Sequence, residues 1–226
     1  MATRLLLLLP IVALLAGGCQ FPRDTRGTLD RVEGGVVRVG VTESEPWVTT
    51  GEGRPEGVEI ELIDGFARTL DARVEFTTGS EEELIGALHE GALDLVAGGM
   101  TKRSQWKEAS PTRQFATTRL VLGLPVGAPD DPAVDAVERG SEAAGLAERT
   151  LDARIAPVEA LPRGRPAVVD DWLLDDLGLR AGRELRTSKH VMFVRMGENA
   201  FQVELERYLH ARGGEVARLL EEQGRP

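Results

Sequence analysis

From Val36 to Ala97 the hydrophobic pattern switches back and forth between strand period and helix period, and this alternation constrains the fold more than any other feature. Val36-Val37-Arg38-Val39-Gly40-Val41 is a β-branched run of the kind that forms a buried strand. Val58 to Leu70 sets Leu62, Ile63, Phe66, Ala67 and Leu70 at helical spacing. Arg73 to Thr77 alternates as a strand. Ser80-Glu81-Glu82-Glu83 is a capping box ahead of the apolar face Leu84, Ile85 and Leu88, and Gly91 ends that helix. Leu93 to Ala97 is a third strand, closed by Gly98-Gly99. The order strand, helix, strand, helix, strand implies a parallel sheet with right-handed crossovers, whose sites collect at the carboxyl ends of the strands. Those ends are Thr42-Glu43, Thr77-Thr78 and Gly98 to Thr101.

A second, smaller α/β unit is expected to follow. Its strands are Leu120 to Leu124, Ala133 to Val137 and Ala167 to Val169, with Ser141 as N-cap of a helix from Glu142 to Arg149. His190 to Val194 reads as a strand, Ala200 to Arg212 as an amphipathic helix and Glu215 to about Gln223 as the last helix. The 226 residues suffice for one compact unit or two small lobes, at ~100–200 residues per domain. A net charge of −10 argues against a nucleic-acid binder, because a negative surface repels phosphates. Lysine is rare: only Lys102, Lys107 and Lys189 occur. The single cysteine excludes an intramolecular disulfide and a multi-thiolate zinc site. His89, His190 and His210 are scattered without metal-ligand spacing, so no metal and no cofactor is expected.

The first 18 residues, with Arg4 ahead of the apolar run Leu5 to Leu15, fit an export signal; the run is too short for a hydrocarbon core that needs ~20 apolar residues. Ala16-Gly17-Gly18-Cys19 resembles a bacterial lipobox, in which Cys19 is lipidated and becomes the mature N-terminus. The resemblance implies an extracytoplasmic protein anchored to a bacterial membrane, on its periplasmic or cell-surface side. Residues 19–35 are polar, contain glycine and read as a tether.

Several segments, in order, resemble the bacterial extracellular solute-binding proteins of family 3, the polar amino-acid receptors of ATP-binding-cassette importers. Strand Val36 to Val41 with Pro46-Trp47 is similar to the family's opening. Gly57-Val58-Glu59-Ile60-Glu61-Leu62 is similar to its Gly-aromatic-Asp-hydrophobic-Asp-Leu segment. Leu84 to Leu88, Gly91 to Leu95, Gly99-Met100-Thr101 with Arg103, Ser110-Pro111 and Val194 to Asn199 follow in the family's order.

The resemblance implies a two-lobed type 2 periplasmic-binding-protein fold: α/β lobes, each a mostly parallel sheet flanked by helices, joined by two crossing strands. Lobe 1 would hold residues 36–117 and 193–226, and lobe 2 residues 118–192. A solute bound between them would be buried by closure. The resemblance assigns Arg103 as a carboxylate clamp, Thr101 and Gly99 as loop contacts, and Ser141 with its helix N-terminus as a second carboxylate contact. It makes Asp171 the ammonium acceptor, with Asp170 as rival. Glu43 is a candidate for amine binding or side-chain selection, and Trp47 for the mouth of the cleft or its packing. The expected partners are a small amino-acid-like ligand, an importer permease and, through Cys19, a lipid bilayer. The protein is expected to be a monomer and not an enzyme. Two alternatives stay open. One is a ligand-sensing module for a membrane signalling partner. The other is an enzyme like the cyclohexadienyl dehydratases that share the fold, which would need an acid–base pair facing the substrate. Some solute-binding lobes precede a lytic transglycosylase domain; the length of this chain is expected to leave no room for one.

Overall fold

The computed structural model describes residues 22–104, 106–129, 136–138, 146, 156–158 and 160–223. The export signal, Cys19, Ser141 and, apart from Leu146, the expected helix Glu142 to Arg149 lie outside these residues. The fold is two five-stranded sheets, one in each lobe, joined by a long two-stranded ribbon.

In the first sheet β1 (Val36–Val41) pairs in parallel with β2 (Arg73–Thr78) and β3 (Leu95–Ala97). Beyond β3 lie β10 (Phe193–Arg195) and β4 (Ala109–Pro111), both joined antiparallel, giving the order β2-β1-β3-β10-β4. The expected parallel core is therefore present, with β10 running against it at one edge and β4, antiparallel to β10, beyond.

Period-two alternation divides β1 between the faces. Val37, Val39 and Val41 enter one core with Ile60, Ile63 and Phe66 of α2 (Val58–Thr69) and with α5 (Asn199–His210) and α6 (Gly213–Gln223). The other face is covered by α3 (Glu81–Glu90) through Leu84, Ile85 and Leu88. Gly40 points to that second face, where a Cβ would come within 2.7–2.9 Å of Leu93 and Leu84 side-chain carbons; the bare glycine lets α3 sit close. The capping box at Ser80 and Glu83 and the left-handed Gly91 cap are both present in α3.

The second sheet has the order β7-β6-β8-β5-β9, from β5 (Ala116–Pro125), β6 (Ala136–Glu138), β7 (Ala156–Val158), β8 (Ala167–Asp170) and β9 (Leu179–His190). A 3-10 turn (Asp171–Leu173) and α4 (Leu174–Leu177) connect β8 to β9. β6 pairs in parallel with β7 and β8, while β5 is antiparallel to both β8 and β9. The expected strand at His190 to Val194 is split: β9 ends at His190, and β10 begins at Phe193 in the other sheet. β5 and β9 are the crossing strands, in register from Ala116↔His190 to Pro125↔Leu179 with two shifts. Among the described residues no helix is long and apolar enough to cross a membrane.

The segment expected to be a tether is fastened to the first lobe from Asp24 onward. Asp24 Oδ1 accepts from the amides of Ala200 (2.6 Å) and Phe201 (3.1 Å) at the start of α5. Its Oδ2 accepts from Leu29 N (2.7 Å) in α1 (Thr28–Val32). Glu198, 1% exposed, takes Thr25 Oγ1 at 2.7 Å and the amides of Arg26 and Thr28 at 3.0 Å. Burial opposes its charge, but these donors prevail and hold its pKa below the ordinary value. Asp94, also buried, is held low in the same way: burial acts against ionisation, and the Arg38 side chain and amide together with Arg31 outweigh it.

Replacing Glu198 by Ala leaves two amides and a hydroxyl without their acceptor. It is expected to cost roughly 3 kcal/mol and to lower the melting temperature by roughly 6–12 °C. A calorimetric loss below about 1 kcal/mol would show that the N-terminal segment does not depend on it.

Candidate functional site

The loop after β3 is the most constrained part of the first lobe's carboxyl edge. Glu59, on the first turn of α2, has no solvent exposure. Its Oε2 accepts from the amides of Gly98 (2.6 Å) and Gly99 (3.0 Å), and its Oε1 has no protein partner. Burial drives its pKa up to about 7, against the pull of the Gly99 and Gly98 amides. Both glycines have positive φ, 146° and 65°. A Cβ on Gly99 would lie 2.8 Å from Trp47 Cδ1, so any side chain there would displace the Trp47 loop.

The next residues dock on the crossing strands. Val191 N donates to Met100 O and Lys102 N to Lys189 O, each at 2.9 Å, and Thr101 forms a β-bridge with His190. His190, 4% exposed, holds the junction: its Nε2 lies 2.9 Å from Thr118 Oγ1, and its ring lies 4.0 Å from that of Trp47 at 31°. Burial pushes its pKa down to about 4; the Gly99 backbone resists this and Arg186 adds to it. The ring is therefore neutral near pH 7. Glu59, the 98–102 loop, His190 and Thr118 thus form one connected unit from α2 to both crossing strands.

Of the residues singled out in the sequence, Gly99 and Thr101 lie in this loop. Trp47 is 5% exposed, packed on His190 and edge-on to Phe115 at 5.9 Å, so it is a core residue rather than a rim platform. Arg103 is exposed in a turn closed by Ser104 N to Thr101 O (2.9 Å); its amide donates to Thr101 Oγ1 (3.2 Å), and it forms no ion pair among the described residues. Glu43 accepts from the Thr50 amide (2.8 Å) and hydroxyl. Asp171 accepts from Arg119 N (3.0 Å) and Nε (2.9 Å), one on each oxygen. Ser141 lies outside the described residues.

A crevice of about 330 Å³ opens between β5, the 3-10 turn and α6; Phe115, Thr117, Thr118, Asp171, Trp172 and Leu220 are among its walls. Trp172 also packs against the core of the first lobe, so this seam belongs to both lobes. β8 pairs with β5 only from Leu120, and the Asp171 side chain takes the Arg119 amide just before that point. Of the singled-out residues that are described, only Asp171 lines the crevice. Sequence reasoning passed over Glu59, Arg119, Thr118 and His190 as site residues. Glu59 carried a usable signal: it is a carboxylate beside the apolar face of α2 that lies within a recognised motif.

The family whose motifs the sequence resembles is also the one whose model matches: bacterial extracellular solute-binding proteins, family 3, over residues 37–124. A membrane-bound lytic murein transglycosylase F of Photobacterium profundum is 30% identical over 139 residues, covering 58% of this chain and 26% of that protein. Its counterpart in Vibrio cholerae is 30% identical over 118 residues, covering 50% and 22%. The chain thus spans about a quarter of the length of these relatives. Among solved structures, an ancestral cationic amino acid solute-binding protein superposes with a TM-score of 0.67 at 21% identity, over 88% of this chain and all of that one. The L-cystine solute receptor of Neisseria gonorrhoeae, unliganded and open, gives 0.64 at 17%, over 86% and 97%. An ancestral cyclohexadienyl dehydratase gives 0.60 at 21%, over 87% and 96%. These likenesses establish the type 2 periplasmic-binding-protein fold.

The pKa of Glu59, ordinarily 4.5 and here about 7, makes its effect on stability depend on pH. Because the folded state holds the proton more tightly, this contribution is complete below about pH 4.5 and is lost as pH rises through about 7. Glu59→Gln is expected to flatten the fall in stability between these limits, a change on the order of 3 kcal/mol. Urea unfolding across that range would show it, and parallel curves for the two proteins would contradict it.

Proposed function

Residues 37–124 align this chain with the family 3 extracellular solute-binding proteins, and from that premise we propose that it captures a small polar solute between its two lobes and releases it unchanged. The observation that carries this reading is the physical continuity between the binding-loop position and the crossing strands. The 98–102 loop is tied to Glu59 on one side and to Lys189, His190 and Val191 on the other. A solute touching that loop bears directly on the ribbon about which the lobes move.

The solute proposed is amino-acid-like and carries a carboxylate. The ancestral cationic amino acid binder and the L-cystine receptor, which share the fold, support that class. Delivery to an ATP-binding-cassette permease and anchorage through a lipidated Cys19 complete the proposal: with the chain fastened to the first lobe from Asp24 onward, the anchor would hold the lobes close to the membrane and to a partner in it. No covalent step is proposed; Glu43 and Asp171 each accept hydrogen bonds from the protein itself.

A second reading is favoured by the murein transglycosylase relatives, whose matched portion is about a quarter of their length. In that reading the same lobes sense a solute and report it to a membrane-bound partner rather than to a permease.

Both readings predict saturable binding. Calorimetric titration of the purified protein with amino acids and small carboxylates is expected to give a one-site isotherm with at least one of them. A flat response across the panel at millimolar concentration would contradict both readings. A solute consumed during titration would favour an enzyme instead.

A further inference from the structure

Asp171, to which the family resemblance gives the ammonium contact, is already ion-paired within the protein, while the ribbon beside it is cationic. Asp171 gives one oxygen to Arg119 N and the other to Arg119 Nε; its side chain is 19% exposed. Glu43 is held by Thr50. The β5–β9 register sets Thr117 opposite Lys189 and Arg119 opposite Thr187, with no shift until after Leu120. Directly paired residues, and those two apart, share a face of an antiparallel ribbon. Arg119 and Lys189 therefore stand on one face with Thr117 and Thr187, and all but the partly exposed Thr187 are exposed. The bond from Lys102 N to Lys189 O brings Lys102 and Arg103 to the same end of the ribbon. Lys102, Arg103 and Lys189 form no ion pair among the described residues. Against these four cations stand Asp171, paired with Arg119, Glu184, which accepts from Thr187, and Glu221, which lines the crevice beside Thr117 and Asp171. Two of the chain's three lysines meet here, in a protein whose net charge is −10.

We propose that this end of the ribbon, marked by Arg119, Lys189, Lys102 and Arg103, selects a small anionic solute with more than one carboxylate and no need of an ammonium group. The proposal rests on the solute-binding reading above and names its ligand class. Guanidinium and ammonium groups give charge-assisted bonds to carboxylates, and Arg119 competes with an incoming amine by neutralising Asp171, the acceptor that the resemblance assigns to it. Specificity then comes as much from the blocked carboxylate as from the attracting cations.

Succinate and L-aspartate test the idea, since they differ by one ammonium group on the same four-carbon diacid. Calorimetry on the detergent-solubilised full chain is expected to show succinate bound at least tenfold more tightly than L-aspartate. Lys189→Gln is expected to weaken succinate severalfold. Arg119→Gln releases Asp171 and is expected to narrow or reverse the preference. Asp171→Asn leaves Arg119 in place and is expected to keep or strengthen succinate binding, which serves as the check should the Arg119 variant fold poorly. A protein that prefers L-aspartate, and loses it on Asp171→Asn, would overturn the proposal and leave the solute-binding reading standing. So would binding of neutral or cationic amino acids with no response to succinate. Silence toward amino acids and carboxylates alike would overturn both.

Discussion

The carboxylate of Glu59, fully buried and bonded to two consecutive glycine amides, is the contact on which the arrangement of the site depends. Gly98 and Gly99 turn through backbone conformations that L side chains rarely adopt, and a single carboxylate oxygen gathers both of their amides. Once that turn is set, the chain runs from Met100 to Lys102 beside the end of β9 and forms an antiparallel bridge there through two backbone hydrogen bonds. His190 closes the unit by stacking on Trp47 and bonding Thr118. Burial raises the pKa of Glu59 and lowers that of His190, in each case favouring the uncharged form, which costs less in a dry junction.

The second lobe has a core of its own. Its strands close their own two apolar clusters, centred on Leu120, Leu122 and Val168 on one face and on Val121, Val169 and Leu177 on the other. Among the described residues, the lobes are joined by the β5–β9 ribbon, the His190 junction and the packing of Trp172 near α6. A connection of this kind permits hinge motion without exposing either core.

How much of this the sequence shows depends on how local each determinant is. β1, α2, β2, α3 and β3 were legible because each carries its own period and its own stop signal, the Ser80 box and Gly91 among them. The long strand β9 was not: Leu179 to His190 is rich in arginine, mostly half-buried and without an apolar alternation, and it exists because β5 pairs with it. The fastening of Asp24 to Val32 was hidden for a similar reason, since its partners, Glu198 and the start of α5, lie at the far end of the chain. Asp171 was visible as a candidate acceptor, but its pairing with Arg119 needs the fold to bring β5 and β8 together. Motif order shows which residues occupy a site; it does not show which of them are already spoken for.

The central claim is that the lobes close on a guest about the β5–β9 ribbon. Spin labels at Glu82→Cys in α3 and Asp175→Cys in α4, in a full chain carrying Cys19→Ser, would report the distance between lobes by pulsed electron resonance. The account predicts that the tightest ligand of the solute panel shortens and narrows the distance distribution at saturation. A distribution that stays the same while calorimetry shows the site to be full would contradict it.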